Sequence, residues 1–145
     1  MSATPPFKQP VSVLVVIHTP ARDILLLERR TPPGFWQSVT GSLEAGETAR
    51  AAAIREVAEE TGLTASATTL RDWRQTNRFE IRAEWRHRYA PGVTHNVEHV
   101  FSLCVPEICP IRLADDEHAG YLWLPQPDAA AKVFSWTNRE AILRL

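Results

Sequence analysis

Three glutamates in the middle of the sequence are spaced so that one helix would bring them together. Glu56, Glu59 and Glu60 stand at i, i+3 and i+4, and residues three or four apart lie on the same side of a helix. Like charges this close destabilise one another unless a cation lies nearby. Mg²⁺ prefers such oxygen ligands and usually also binds the phosphate oxygens of a substrate. We therefore expect these three side chains to hold Mg²⁺, or Mn²⁺ in its place, for a reaction on phosphate groups.

Arg55 adds a cation to the same helix face. It precedes Glu59 by four residues and can pair with it, which would orient a carboxylate toward a metal ion or a water molecule. Taken alone, a charged run of this kind is more often a solvated helix face. The residues upstream of the run distinguish the two interpretations.

The segment from Thr48 to Thr61 predicts the helix that carries these side chains. It contains no proline or glycine and is rich in alanine, Thr48 could cap its start, and Gly62 stands where a helix commonly ends. A neighbouring face carries three apolar side chains that could anchor the helix on a sheet: Ala53, Ile54 and Val57.

Strand patterns flank this helix on both sides. After an extended, proline-containing lead-in over residues 1–10, the sequence predicts five strands: Val11–Ile17, Ile24–Arg30, and stretches around Trp73–Trp85, His99–Val105 and Gly120–Leu124. We expect a turn at Ala90–Gly92 and a second helix over Thr137–Leu145, capped by Thr137. This order predicts a mixed sheet with helices packed on it.

Two residues upstream of the helix complete a longer pattern. Gly41, Glu47 and the run Arg55–Leu63 occupy every fixed position of the Nudix box. The chain therefore resembles the Nudix hydrolases, which hydrolyse a nucleoside diphosphate linked to another group and use divalent metal on this loop and helix. The resemblance implies an α/β/α sandwich, with a mixed β-sheet and helices on both sides. It also places Glu56, Glu59 and Glu60 at the metal-ligand positions.

Stretches outside the box resemble one bacterial branch of that family, which acts in folate synthesis. They are Pro10–Ser12, Glu28–Arg30, Phe35–Ser42, Arg86–Thr94 and Ser135–Arg139. The branch releases pyrophosphate from 7,8-dihydroneopterin 3′-triphosphate and leaves the monophosphate. The resemblance implies that Glu117 joins the metal ligands, and that the base is Glu59, Glu60 or Glu117. It implies substrate contacts from these residues: Lys8, Arg29, Thr40, Phe79, Glu80, Ile81, Arg82 and Ser135.

Physical chemistry supports part of this assignment and leaves alternatives open. Lys8 and Arg29 offer cations for phosphate, but Lys8 could equally be free in water and Arg29 could be the solvated end of a strand. Glu117 could belong to an exposed acidic loop. Aromatic side chains that could stack on a pterin are also common core residues: Trp36, Phe79 and Trp136. We interpret four histidines as surface or core residues: His87, His95, His99 and His118.

The bulk composition limits the class of protein. A chain of 145 residues is the usual size of one domain, and we expect a single domain over residues 1–145. The net charge of −1 argues against nucleic-acid binding. The longest apolar run, Val11–Ile17, is too short to cross a bilayer. We therefore expect a cytoplasmic enzyme whose partner is a small triphosphate, with no membrane and no obligate protein partner.

Two other functions fit the same motif. The enzyme could be a housekeeping pyrophosphatase for nucleoside or deoxynucleoside triphosphates, since the metal helix would serve both substrates equally well. The domain could also be a ligand-binding regulator without catalysis, although the intact box argues against this hypothesis.

Overall fold

Seven strands and three α-helices make up the part of the chain that the computed structural model describes, residues 7–66 and 68–145. In chain order they are β1 (Val11–His18), β2 (Asp23–Arg29), β3 (Trp36–Gln37), β4 (Val39–Ser42), α1 (Ala49–Thr61), β5 (Leu70–Glu80), β6 (His95–Cys104), β7 (His118–Pro125), α2 (Gln126–Lys132) and α3 (Trp136–Leu143). A 3₁₀ helix, Ala83–Arg88, follows β5. The first six residues of the predicted lead-in lie outside the described residues.

The sheet is mixed, as the sequence predicts. β1 runs parallel to β6 along its whole length, and the other strand pairs are antiparallel. β1 and β2 pair at His18 and Ile24, beside the turn that joins them. Beyond this point they diverge, and the short strands fill the fork, with β4 on β1 and β3 on β2. Arg29 and Ser42 therefore lie at the wide end of the fork.

Helices cover both faces of this sheet, which confirms the predicted sandwich. The odd-numbered side chains of β1, such as Val13 and Val15, pack with α1 residues including Val57. The even-numbered ones, such as Leu14, pack with residues of α2 and α3, including Ile142. Because β1 is buried on both faces, an unbroken β-branched run suits it better than an alternating pattern. None of the helices in the described ranges combines the length and apolar composition that a membrane span requires.

The predicted boundaries of α1 are confirmed. Thr48 adopts an extended conformation and its hydroxyl accepts a hydrogen bond from the Ala51 amide at 3.1 Å. Gly62 ends the helix with a φ of 75°, in the left-handed region that favours glycine, and its amide donates to the Ala58 carbonyl. Both signals act within a few residues, so the sequence alone contains them.

Three predicted elements have different limits. The strand predicted to reach Trp85 ends at Glu80, where pairing with β6 stops, and the chain then turns into the 3₁₀ helix. β6 begins at His95, four residues before the predicted start, and β7 extends over His118–Pro125. The turn at Ala90–Gly92 is confirmed by a hydrogen bond from the Val93 amide to the Ala90 carbonyl.

The cap of the last helix was predicted two residues too late. Ser135, not Thr137, caps α3, and its hydroxyl accepts from the Asn138 amide. Thr137 is buried in the first turn with its hydroxyl 2.9 Å from that of Ser135. The prediction also missed α2, whose first turn contains Pro127, because proline is tolerated where helix amides lack a partner anyway. β3 and β4 were missed because they are short.

Candidate active site

Burial separates the three glutamates that the sequence presents as one cluster. Glu60 is 1% exposed and Glu56 is 8% exposed, so both carboxylates lie between α1 and the sheet. The Glu59 side chain is 53% exposed and lies at the outer edge of the helix. The helix face is therefore not an ordinary solvated one, because two of its three carboxylates are removed from water.

Glu60 lies beside two residues of the loop that leads into β7. Side-chain ligand atoms of Glu60, Glu117 and His118 all fall within 4.8 Å of one another. The Arg30 amide donates to the Glu117 carbonyl at 2.9 Å, which fixes this loop on the end of β2. Glu56 and Glu59 are not members of this group; each instead lies about 3 Å from the guanidinium of Arg55. Glu117 therefore lies close to Glu60 in space although the two residues are far apart in the sequence.

The unpaired atoms of this group fit a bound cation. Within the described ranges, Oε1 of Glu60 and Nδ1 of His118 are buried and have no hydrogen-bond partner. A buried carboxylate oxygen without a partner is costly, and a cation with oxygen ligands would remove that cost. Carboxylates from two separate elements are a suitable donor set for a hard divalent ion.

The pKa values of the buried carboxylates point to the same conclusion. Burial raises the pKa of Glu56 to about 8, and the hydrogen-bonded Glu59 adds to the rise while Arg55 opposes it. Burial also raises the pKa of Glu60 well above its ordinary value, and the Glu56 and Glu117 carboxylates raise it further. Charge in this site is therefore unfavourable unless a cation compensates it.

His118 was interpreted from sequence as a surface or core residue, and it lies in the candidate site. Its Nε2 is 3.7 Å from Oε1 of Glu60, and the side chain is 3% exposed. Burial lowers its pKa to about 4, with a further contribution from Arg29, so the imidazole is neutral near pH 7. Its position next to Glu117 was the one sequence signal that could have identified it.

Arg55 connects the loop before α1 to the carboxylates of the helix. Its Nε and Nη2 lie 2.8 and 2.9 Å from the two carboxylate oxygens of Glu47. Nη1 donates to Glu56 at 3.0 Å and to Glu59 at 3.2 Å, the second being the pair expected from sequence. The guanidinium lowers the pKa of Glu47 to about 2. Arg55 thus fixes two carboxylates next to the metal-binding group.

Gly41 allows α1 and β4 to approach each other. A Cβ atom at this position would lie 1.3 Å from Oε2 of Glu56. No side chain fits there while Glu56 keeps its position. Gly46 serves a different purpose, because its φ of 76° belongs to the left-handed turn that leads into the helix.

Two predicted cations lie close to the carboxylates and are not free in water. Burial lowers the pKa of Lys8 to about 8, with further contributions from Arg88 and Arg29, and Glu56 and Glu117 are close enough to oppose the shift. Burial and Arg88 also lower the pKa of Arg29, opposed by Glu60 and Glu117. Both side chains are half-buried beside the carboxylates. Arg88 is an additional cation that sequence reasoning did not single out.

The other predicted substrate side chains lie elsewhere, although the backbone amide of Thr40 donates a hydrogen bond to the Glu60 carboxylate. Thr40 is opposite Leu14, on the face that α2 and α3 cover, and its hydroxyl donates to the Val13 carbonyl at 2.9 Å. Ser135 caps α3. The segment Phe79–Arg82 lies at the end of β5, where Ile81 is buried. Two of its members form exposed ion pairs of 2.7 Å: Glu80 with Arg86, and Arg82 with Glu84. A ligand touching all these residues would have to extend from the carboxylates across β4.

Similar proteins share both the sequence and the fold. The NUDIX domain family model matches residues 8–145. Dihydroneopterin triphosphate diphosphatase of Escherichia coli is 50% identical over 139 residues, covering 94% of this chain and 91% of that protein. The protein of the same name from Haemophilus influenzae is 41% identical over 141 residues, covering 94% and 87%. The structure of the E. coli dihydroneopterin triphosphate pyrophosphohydrolase matches with a TM-score of 0.90 and covers 96% of each chain.

These matches extend over nearly the whole chain, so they concern the sheet and both helical layers as well as the motif on α1. They agree with the resemblance that the sequence suggested and with the acidic group that the structure brings together. The chain therefore belongs to the Nudix family and is a Nudix hydrolase.

Proposed function

We propose that the chain is a Mg²⁺-dependent pyrophosphohydrolase that converts 7,8-dihydroneopterin 3′-triphosphate to dihydroneopterin monophosphate and pyrophosphate. The observation that carries the proposal is the buried Glu60 carboxylate, which is grouped with Glu117; Arg29 lies close to both carboxylates and Lys8 lies close to Glu117. The relatives named for this reaction, at 50% and 41% identity, support the substrate.

The residues around Glu60 divide into metal ligands and phosphate contacts. We assign Glu56, Glu60 and Glu117 as ligands of Mg²⁺, with Glu59 next to them, and Mn²⁺ as an alternative ion. The bound ion would neutralise phosphate charge and make a water molecule more acidic. Lys8 and Arg29 would bind phosphate oxygens by charge-assisted hydrogen bonds.

The reaction consumes one water molecule. The water oxygen attacks a phosphorus of the triphosphate, the bridging P–O bond breaks, and pyrophosphate leaves. The proton passes to a carboxylate, for which Glu59, Glu60 and Glu117 are the candidates. Arg55 would act by holding Glu56 and Glu59 in place, since its contacts within 3.2 Å leave it committed to carboxylates and the Ser42 carbonyl.

Several further assignments belong to this proposal. Thr40, Ser135 and the segment Phe79–Arg82 would contact the part of the substrate remote from the metal. We also propose a cytoplasmic location, which the free cysteines Cys104 and Cys109 support, because such thiols suit a reducing compartment.

A substrate panel tests the proposal against a nucleotide pyrophosphatase and a non-catalytic regulator. The protein is incubated with Mg²⁺ and either dihydroneopterin triphosphate or each common nucleoside and deoxynucleoside triphosphate, and kcat/KM is measured for each. We expect the highest kcat/KM for the pterin. A higher value for any nucleotide would overturn the substrate assignment, and the absence of turnover on all substrates would support the regulator.

A further inference from the structure

A row of polar side chains crosses four strands on the sheet face that α3 covers. Ser12 of β1 lies opposite Ser42 of β4 and Glu98 of β6, and Glu98 lies opposite Asn77 of β5. Directly paired residues point to the same face of a sheet, and Leu14, two residues from Ser12, packs with α3. Four polar residues in one row are unusual on a covered face, where apolar side chains would normally pack.

Two acceptors in this region are buried and unpaired. Glu98 is 5% exposed, and its Oε1 has no hydrogen-bond partner in the described parts of the chain. Asn96, two residues earlier on the same face, is 3% exposed, and its Nδ2 donates to the Ser12 hydroxyl at 2.8 Å. Its Oδ1 likewise has no hydrogen-bond partner in the described residues. An unsatisfied buried acceptor costs about 1–3 kcal/mol. Two unsatisfied acceptors would therefore destabilise the fold if this region served packing alone.

The two atoms could each accept a hydrogen bond from a ligand that carries N–H donors. A 2-amino-4-oxopyrimidine ring, as in pterins and guanine, has a ring N–H beside an amino N–H, and this edge matches a carboxylate. Phe79 lies opposite Asn96 in the β5–β6 register, so its half-buried ring is on the same face and can form an apolar wall. Acceptors beside an aromatic wall are the composition of a site for a flat heterocycle.

The surroundings of Glu98 agree with a binding role. Burial raises its pKa, and hydrogen bonds from Thr137 and Asn77 oppose the rise. N–H donors from a ring would further stabilise the charged form. Thr40 and Ser135, which lie on this face or at the start of α3, are among the residues proposed to contact substrate. The carboxylates on α1 lie on the opposite face, so a substrate with its ring here would pass β4 to reach them.

We propose that Glu98, together with Asn96, binds the amino-pyrimidinone edge of the substrate ring and thereby selects pterin over rings that lack the amino group. The inference rests on the proposed function and adds the residues that would determine its specificity. Glu98 is a substrate-binding residue in this account, and Phe79 packs on the ring.

Two competitors test the ring edge without a variant. GTP carries the 2-amino-4-oxo arrangement and ITP lacks only the amino group. Each is used to inhibit hydrolysis of dihydroneopterin triphosphate by the wild-type protein. Loss of one hydrogen bond to a charged acceptor should weaken ITP relative to GTP about tenfold. Inhibition constants within twofold of each other would overturn the proposal.

The Glu98→Gln variant tests the residue itself. It should raise KM for dihydroneopterin triphosphate by about tenfold or more, because the amide presents a donor where the ring also donates. It should also reduce the ratio of the ITP inhibition constant to the GTP inhibition constant from about ten to about one. Glu107→Gln, at an exposed position, is the matched control. A variant that keeps the wild-type KM and ratio would contradict the assignment. Circular dichroism and thermal unfolding show whether Glu98→Gln folds, and if it does not, the wild-type competition decides alone.

The two levels of the proposal can fail separately. If the wild-type protein does not hydrolyse dihydroneopterin triphosphate, the proposed function is wrong, and the GTP and ITP dissociation constants from calorimetry still test the ring edge. If the wild-type protein hydrolyses the pterin but its inhibition constants for ITP and GTP are nearly equal, the proposed function stands and the role of Glu98 is wrong.

Discussion

Glu60 is almost fully buried, and its carboxylate lies beside Glu117 and His118 without a salt bridge to a lysine or arginine in the described residues. A carboxylate in such a place keeps its charge only if something positive compensates it. His118 cannot do so near pH 7, because burial lowers its pKa to about 4. Glu56, with a pKa raised to about 8, has a similar need. A divalent cation satisfies both residues.

Replacing Glu60 by glutamine should remove a metal ligand while keeping the shape of the side chain. We expect kcat at saturating Mg²⁺ to fall by roughly two orders of magnitude or more, since electrostatic stabilisation by a bound metal is worth several kcal/mol. Glu107→Gln is the surface control and should keep its activity. Turnover at the wild-type level in folded Glu60→Gln would show that α1 is not the metal site.

Lys8 should make catalysis depend on pH in the alkaline range. Its pKa is lowered to about 8, so the free enzyme loses this charge as pH rises through about 8 rather than near 10.5. Below pH 8 the Lys8 ammonium is charged and can bind phosphate. Above pH 8 the side chain is increasingly neutral, so kcat/KM should fall as the pH rises. The Lys8→Arg variant keeps its charge throughout and should show a weaker fall between pH 7 and 9.5. Identical profiles for the two proteins would contradict a phosphate contact from Lys8.

At the scale of elements, α1 and β4 meet at Gly41. Gly41→Ala would place a Cβ atom 1.3 Å from Oε2 of Glu56, so the glutamate must move. We expect a loss of metal affinity and of kcat, with a smaller change in stability because the end of the side chain can relocate. Gly120→Ala is the control, since its Cβ would meet Glu28 at an ordinary 3.7 Å. Equal activity of the two variants would show that the close contact is unimportant.

Asn138 joins α3 to the link between β3 and β4. Its Oδ1 accepts from the Ser38 amide at 2.8 Å and its Nδ2 donates to the Ser38 hydroxyl at 2.9 Å, both buried. Asn138→Ala leaves that amide unsatisfied and should lower the free energy of unfolding by about 1–3 kcal/mol. Arg139→Ala, an exposed neighbour on the same helix, should change it by less than about 0.5 kcal/mol. Urea titrations of both variants measure this difference, and equal midpoints would refute the structural role.

The elements differ in how far the sequence predicts them. α1 was predicted with both ends, because its cap residues Thr48 and Gly62 act locally. The start of α3 was misplaced because Ser135 and Thr137 are both good caps, and the choice depends on which hydroxyl the packing leaves available. β3 is only two residues long and exists through its pairing with β2, so no local pattern predicts it.

At the scale of the whole molecule, the candidate site draws on distant parts of the chain. Lys8, Arg29, α1 and the loop holding Glu117 meet at the wide end of the fork between β1 and β2. The spacing on α1 predicted the metal helix, and the family resemblance supplied Glu117. The contribution of His118 was missed, because its proximity to Glu60 depends on how β7 pairs with β2, and the sequence signals it only through its position next to Glu117. The row containing Glu98 likewise depends on the register of four strands. A single domain over residues 1–145 stays a prediction.

The reaction itself gives the most direct test. Wild-type protein, Mg²⁺ and dihydroneopterin triphosphate are incubated in ¹⁸O-labelled water, and the products are followed by phosphorus NMR. We predict one equivalent each of pyrophosphate and dihydroneopterin monophosphate, with ¹⁸O in one of the two to mark the phosphorus attacked. Release of orthophosphate in place of pyrophosphate, or no turnover, would contradict the account.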